Sequence, residues 1–282
     1  MGQVVRRRLH LSRTLYRRIK ARGGLWVNGS PIPSDVPVRS GDRITLALPA
    51  CAPAAPEPVD LAIVSEDEWL VVLDKPAGLV VHPARGHHGG TLINGIVYHR
   101  LQRGEPPWAH LVHRLDRGTS GLMLVAKNPH VHELLAPHRP AGRARLGRSY
   151  VALVEGHVAA VSGVVAIPID EPPDEPGGGA ARAASPSGRP SRTRFRVAWR
   201  GSIGERPVTL VALRLASGRT HQIRVHMAHL GHPVVGDALY GRGQALPGRP
   251  WPALHARKLW LVHPISRKRF VFKSPVPFPP LT

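Results

Sequence analysis

This chain is short of acid, of sulfur and of long apolar runs, and each shortage removes a class of explanation. Only 18 Asp and Glu stand against 39 Lys and Arg in 282 residues, a formal net charge of +21. Cys51 is the one cysteine, so an intrachain disulfide and a thiolate metal cage are both excluded. It sits in a Pro/Ala segment and reads as an incidental thiol. No stretch approaches the roughly 18 apolar residues of a spanning helix, and the N-terminal residues lack the apolar core of a signal peptide. The expectation is a soluble, cytoplasmic protein without a membrane partner. What remains is a basic excess whose self-repulsion a polyanion would relieve, which makes nucleic acid the first partner to consider and an anionic membrane surface the competitor. Enrichment in Arg, Ala, Gly and Pro also follows from genome base composition, so the charge supports nucleic-acid binding without proving it.

The most informative segment is His113-Arg114-Leu115-Asp116-Arg117-Gly118-Thr119-Ser120-Gly121, followed by the apolar run Leu122–Ala126. One carboxylate, Asp116, lies between two guanidinium groups in a chain poor in acid, and Arg114, Arg117 or a more distant cation would keep it ionised. Glycines and hydroxyls after it signal a tight loop, and the apolar run reads as a buried strand. A loop carboxylate on a rigid strand suits a nucleophile, although an isolated R-x-D is more often a salt-bridged turn.

The whole segment, H-R-L-D-x-x-T-S-G with an apolar strand and then Lys127, resembles the signature of the RluA-type pseudouridine synthases. In that family the Asp is the essential catalytic residue, which the resemblance places at Asp116, and the preceding Arg fills the space left by the flipped base, which places that role at Arg114. Three further stretches carry the same resemblance: Asp74-Lys75-Pro76-Ala77-Gly78 with Val81-His82-Pro83, Ser217-Gly218-Arg219-Thr220-His221-Gln222-Ile223-Arg224 with His226, and Gly236-Asp237 with Tyr240-Gly241. It implies that Arg219 forms an ion pair with Asp116 and that Tyr150, at the start of a strand, faces the uracil. The reaction it implies is isomerisation of uridine to pseudouridine, in which reactant and product contain the same atoms, so no cofactor and no metal is expected.

His221, His226, His229 and His232 invite a metal reading, because His226 and His229 stand three apart on an expected helix. Against it, no H-E-x-x-H occurs, and structural hydrogen bonding or RNA contact explains the same residues.

Arg6, Arg7, Arg8, Arg13, Arg17, Arg18, Lys20 and Arg22 all precede the first acidic residue, Asp35. Ser12 is a candidate N-cap for a helix ending near Ala21, with Gly23-Gly24 as its stop. Leu15 and Ile19 share one face of it, which leaves Arg13, Arg17, Arg18 and Lys20 as candidate RNA-binding residues. This helix, the strand Leu25–Val27, the turn Asn28-Gly29 and the later S-G-D-R-I resemble the small RNA-binding domain named after ribosomal protein S-four. Only Gln3–Leu9 is available for that module's first helix, so either the helix is shortened or the true start lies further upstream. A solvated basic helix with no RNA role is the alternative.

The expected organisation is an S-four-like RNA-binding domain at 1–49, a stiff Pro/Ala linker at 50–58, and a catalytic domain at 59–282 with a flexible insertion at 171–192. The expected fold class is α+β: a mixed, mostly antiparallel-sheet catalytic domain of the pseudouridine synthase type with a small α/β N-terminal RNA-binding domain. Within it we expect strands at Trp69–Leu73, Tyr150–Glu155, Val164–Ile167 and Thr209–Leu215. Thr91 should cap a helix, Gln222–Leu230 should form another, and Leu259–His263 with Phe270–Lys273 should close a hairpin. The target expected from the resemblance is ribosomal RNA of the large subunit rather than tRNA, acted on by a monomer with no obligate protein partner. A catalytically inactive RNA-binding or ribosome-assembly factor is the alternative, distinguished by having no need of Asp116, Tyr150 and Arg219 together. Asp116 would either attack the anomeric carbon or take a proton from the neighbouring sugar carbon.

Overall fold

The basic N-terminal segment forms α1 (Gly2–Arg8) and α2 (Arg13–Ala21) in the computed structural model, which describes residues 1–8, 11–32, 36–48, 54–84, 87–135, 146–170 and 181–278. Cys51, most of the Pro/Ala segment before residue 54 and residues 171–180 of the expected insertion lie outside the described residues. Ser12 caps α2 as expected, its side chain accepting from Leu15 N–H, and Leu15, Tyr16 and Ile19 are buried while Arg13, Arg17 and Arg18 are exposed. The short strands β1 (Leu25–Val27), β2 (Ser30–Pro31) and β3 (Ile44–Leu46) form an antiparallel sheet in the order β2-β1-β3. Asn28 and Gly29, with φ of 50° and 83°, make the β1–β2 turn. Val5, Leu11, Leu15, Tyr16, Ile19 and Leu25 give this part its own small core.

The helix does not float. Ser12 donates from its backbone N–H and its hydroxyl to Glu133 at 3.2 and 2.6 Å, which ties the start of α2 to a helix of the larger part, α4 (Pro129–Leu135). Nor is the segment before residue 59 a free spacer. The Glu57 carboxylate accepts from Gly90 N–H at 2.6 Å, and Asn94 Nδ2 donates to the Ala55 carbonyl at 2.7 Å. Asn94 belongs to the capping box of α3 (Leu92–Gln102), where Thr91 is the cap that its sequence suggests.

The remaining strands are β4 (Ile63–Glu66), β5 (Leu70–Lys75), β6 (His110–Leu111), β7 (Ser120–Ala126), β8 (Leu146–Glu155), β9 (Ser162–Val165), β10 (Thr193–Ile203), β11 (Arg206–Leu215), β12 (Leu254–Val262) and β13 (Arg269–Lys273). They join in one sheet in the order β4-β5-β7-β12-β8-β11-β10-β9, with β13 on β12 and β6 on β7. Among the described residues only β7 and β12 pair in parallel; every other pairing is antiparallel. The class is α+β, as expected. β7 is buried at all seven positions because core lies on both of its faces: Met123 and Val125 join one cluster, Leu122, Leu124 and Ala126 the other.

Three expectations need correction. The strand expected at Val164–Ile167 runs from Ser162 to Val165 instead. The eleven-residue strand β10 has no counterpart among the expected strands, although Phe195 and Val197 alternate with arginines there; a register shift between Val197 and Trp199 interrupts the pairing. Residues 181–192, expected to be mobile, are pinned: Ile169 and Arg189 exchange backbone bonds at 3.0 and 2.8 Å, and Asp170 N–H donates to the Ala183 carbonyl at 3.0 Å. The backbone of that stretch finds its partners in the segment around Ile169, which no local pattern in a Pro/Gly/Ser-rich run could announce.

Sheet topology assembles the site. Lys75, last in β5, pairs with Gly121 near the start of antiparallel β7, so the loop leading into β7 lies beside the turn leaving β5. Leu213 pairs with Tyr150, which brings the exit of β11 and the helix after it, α5 (Gln222–His229), to the same end of the sheet.

Candidate active site

The Asp116 loop is built against two neighbours that leave no room for side chains at its glycines. Gly121, at φ 111°, would carry a Cβ 2.5 Å from the Ala256 carbonyl oxygen of β12. The turn after β5 is zipped to the same loop: Gly78 N–H donates to the Arg117 carbonyl at 2.8 Å, and Arg117 Nε donates back to the Gly78 carbonyl at 3.1 Å. The Arg117 guanidinium then rests 5.1 Å from the Trp251 ring centroid. Thus one of the two arginines flanking Asp116 clamps the loop, and the other, Arg114, is exposed.

Asp116 is half-buried, its side chain 26 % exposed, and the guanidinium that approaches it is Arg224 Nη1 at 3.9 Å. Arg224 is itself held by a two-pronged pair with Asp237, Nε to Oδ2 at 2.6 Å and Nη2 to Oδ1 at 2.7 Å. Asp237 is fully buried and also accepts from the Leu239 and Tyr240 N–H groups at 3.0 and 3.2 Å. The Tyr240 ring lies 5.0 Å from the Arg224 guanidinium, and its hydroxyl is bonded to His221 Nδ1 at 2.9 Å and accepts from Arg182 N–H at 2.6 Å. A fixed fork therefore presents one remaining edge to Asp116.

The field of the Asp116 carboxylate reaches Lys75, Tyr150, His221, Arg224 and Tyr240. Burial raises the Tyr150 phenol above its ordinary value, with Asp116 adding to the rise and Arg148 opposing it. Tyr150 therefore stays protonated at neutral pH, fitted to stack or donate rather than to act as a ready base. His221 is lowered by burial, with the Asp116 carboxylate opposing and Arg224 reinforcing the shift.

Arg219 departs from the expected role. It forms no ion pair with Asp116; its Nε donates to the Pro190 carbonyl at 3.4 Å. The reason is local: Arg219 sits in the turn before α5, where Gln222 Oε1 accepts from its N–H at 3.0 Å, whereas Arg224 is on the helix, facing the Asp116 loop. Both arginines lie in the quoted motif, and nothing in their spacing says which one meets the carboxylate. Gln222 is structural, with Nε2 donating to the Arg192 carbonyl and Thr193 Oγ1 at 3.1 and 3.0 Å.

Three of the four histidines have separate partners. His226 lies between Thr193 Oγ1 and Ser191 Oγ, both at 2.8 Å; His232 bonds the Glu155 carbonyl at 2.8 Å; His221 bonds Tyr240; and His229 is exposed. Among the described residues no group of three or more His, Cys, Asp or Glu side chains is placed to hold a metal ion.

Lys75 is a residue whose sequence neighbours assign it to a turn. It is 1 % exposed, and its ammonium donates to the carbonyls of Pro76, Leu79 and Arg117 at 2.8, 2.9 and 3.1 Å. Those bonds tie the β5 turn to the loop that carries Asp116. Burial pushes this lysine down to about 7, with Asp116 pulling it back up. A folded value below that of the unfolded chain, ordinarily about 10.4, means the cost of burying the cation is full below pH 7 and is relieved as pH rises from 7 towards 10. The unfolding free energy of the wild type relative to Lys75→Met, from urea melts at pH 6.5 and pH 9, should therefore shift in the wild type's favour by about 2–3 kcal/mol at the higher pH. A flat difference would mean that Lys75 does not titrate there.

Residues 69–229 match the family model described as RNA pseudouridylate synthase. The chain is 38 % identical over 273 residues to the uncharacterized RNA pseudouridine synthase YjbO of Bacillus subtilis (strain 168), covering 95 % of this chain and 93 % of that one. It is 39 % identical over 273 residues to ribosomal large subunit pseudouridine synthase D of Pseudomonas aeruginosa, covering 90 % and 81 %. Among solved structures, human RNA pseudouridylate synthase domain containing 1 superposes with a TM-score of 0.58 at 27 % identity, covering 79 % of this chain and 86 % of that one. Sheet and similarity agree on a class: an isomerase that acts on RNA. The chain belongs to the RNA pseudouridine synthase family.

Proposed function

We propose that this enzyme isomerises uridine in large-subunit ribosomal RNA through Asp116, with Arg224 as its orienting cation. The observation that carries this reading is the partly exposed Asp116 carboxylate facing the free edge of a guanidinium that Asp237 locks from behind. A base inside an RNA helix is out of reach, so the target nucleotide is flipped at a cost of a few kcal/mol. The exposed Arg114 fills the vacated stack. Asp116 then acts at the sugar, by attack on the anomeric carbon or by removing a proton from its neighbour; the glycosidic bond to nitrogen breaks, and as the bond to carbon 5 forms Asp116 is released from the anomeric carbon or returns the proton to the neighbouring carbon. Tyr150, kept protonated by burial, holds the freed uracil while it turns. The proton lost from carbon 5 leaves to solvent, and a proton from solvent returns to the freed ring nitrogen, so the nucleotide gains and loses no atoms overall.

Ribosomal RNA is favoured over tRNA because a relative covering most of the chain carries that substrate in its name, and because α2 sets a cationic face beside the catalytic part. We assign residues 1–49 to an S-four-like RNA-binding module on the same grounds, in a monomer working in the cytoplasm. Among the described residues no helix is long and apolar enough to cross a membrane.

The test is tritium release from RNA labelled at carbon 5 of uridine, with unmodified ribosomal RNA and tRNA compared. Release from ribosomal RNA at least tenfold faster than from tRNA supports the reading; release from tRNA alone overturns the choice of substrate. In the full chain, changing Arg13, Arg17 and Arg18 together to Gln should flatten the dependence of log K on log salt by up to about 2–3, at roughly 0.9 for each phosphate no longer neutralised, while the rate at saturating RNA is unchanged. An unaltered slope would leave α2 as a merely solvated helix.

A further inference from the structure

The face of the large sheet opposite Tyr150 carries a line of cations that the catalytic site does not use. Register places them in one row: Lys273 of β13 pairs with Lys258 of β12, Lys258 with Ser149 of β8, Ser149 with Arg214 of β11, and Arg214 with Arg194 of β10. Directly paired residues point to the same face, and Ser149 points away from its neighbour Tyr150. Four steps of about 4.8 Å give the row a length of roughly 19 Å. Lys273, Arg214 and Arg194 are exposed and Lys258 is half-exposed.

Two features mark this row as more than surplus charge. No carboxylate among the described residues lies within ion-pairing distance of any of the four, although like charges are set side by side at Lys273/Lys258 and Arg214/Arg194. Such pairs repel in the free protein, and an anion lying along the row would relieve them. The second feature is a built support. Trp260 pairs with Gly147, where a Cβ would overlap the indole, so the missing side chain lets the ring lie on β8. Arg214 and Lys258 both settle over that ring, at 5.4 and 5.9 Å from its centroid. An aromatic face orders a cation while leaving its charge unneutralised, which a carboxylate would not do.

We infer that this row is a second RNA-binding surface, a track for the phosphate backbone of a substrate segment remote from the target uridine. A row of cations meets phosphates rather than base edges, so it adds affinity without sequence preference. It gives Lys258 a function outside the reacting centre, and it rests on the reading above that the substrate is a large RNA able to reach round the sheet. A short stem-loop carrying only the target would leave the track unused.

The test uses the full chain and two RNAs, a large-subunit ribosomal fragment and a stem-loop excised around the modified uridine. R194Q/R214Q and the fourfold R194Q/R214Q/K258Q/K273Q variant are measured for binding across a salt series, with R194K/R214K as the charge-conserving control. R103Q/K268Q removes two exposed cations elsewhere. The fourfold variant should bind the large fragment at least tenfold more weakly with a slope about 2–4 lower, bind the stem-loop within twofold of wild type, and release tritium at the wild-type rate at saturation. R194K/R214K should restore the slope. Equal losses in R194Q/R214Q and R103Q/K268Q, or equal losses on both RNAs, would show bulk charge alone and overturn the track. Failure of the wild type to release tritium from either RNA would instead count against the functional reading, so the two failures are told apart.

Discussion

Asp116→Asn and Asp116→Ala are expected to abolish tritium release, lowering the single-turnover rate by on the order of 10³-fold or more, because both candidate chemical steps need the carboxylate's lone pair. The Asn variant keeps the side chain's shape, so it separates loss of chemistry from loss of fit. RNA affinity should be kept or slightly increased, since a negative charge leaves a cationic surface. Stability should change by no more than about 1 kcal/mol, because Asp116 is partly exposed and its approach to Arg224, at 3.9 Å, is too long for a strong ion pair. Residual release above one hundredth of wild type in Asp116→Asn would reject the carboxylate as the reacting group.

Arg224→Gln should be the most destabilising single change at the site, and Arg219→Gln among the mildest. Asp237 is fully buried and relies on both prongs of Arg224, so removing the guanidinium strands a buried carboxylate and costs about 3–5 kcal/mol. Release should fall with it, because Asp116 loses the group that orients it. The double variant Arg224→Gln/Asp237→Asn keeps the two effects apart: it replaces the charged pair with a neutral one, and should recover much of the stability without recovering activity. Arg224→Lys retains the charge without the fork, and should fall between wild type and Gln in rate. Arg219→Gln removes one long bond to a carbonyl, and should alter stability by less than about 1 kcal/mol. Loss of release in Arg219→Gln with near-normal release in Arg224→Gln would restore the pairing that the motif implies.

Much of the fold can be read locally. Ser12 and Thr91 announce their helices because an N-cap is a property of a few adjacent residues. The run Leu122–Ala126 announces a buried strand, and the hairpin of β12 and β13 shows itself by two apolar stretches close in sequence. β10 escapes a local reading where a register shift breaks its pairing, and the docking of 181–192 escapes it because its partners lie at Ile169 and Tyr240.

The site divides the same way. Asp116 is legible because a rare acid stands in a long, distinctive motif; Tyr150 is picked out by the family resemblance alone, and its strand begins four residues earlier than expected, at Leu146. Lys75 is not, since a lysine beside Pro76 and Gly78 looks like a turn residue until β5 and β7 close over it. Composition and short-range pattern suffice for the basic character, the strand and helix nuclei, and the loops that carry the reacting groups, all of which depend on neighbours within a few residues. They do not suffice to set Arg224 rather than Arg219 before Asp116, to bury a lysine beneath them, or to bring four cations from four strands into one row. Those outcomes follow from sheet order and register, which pair residues more than a hundred positions apart, and burial energy selects that pairing over the whole chain at once.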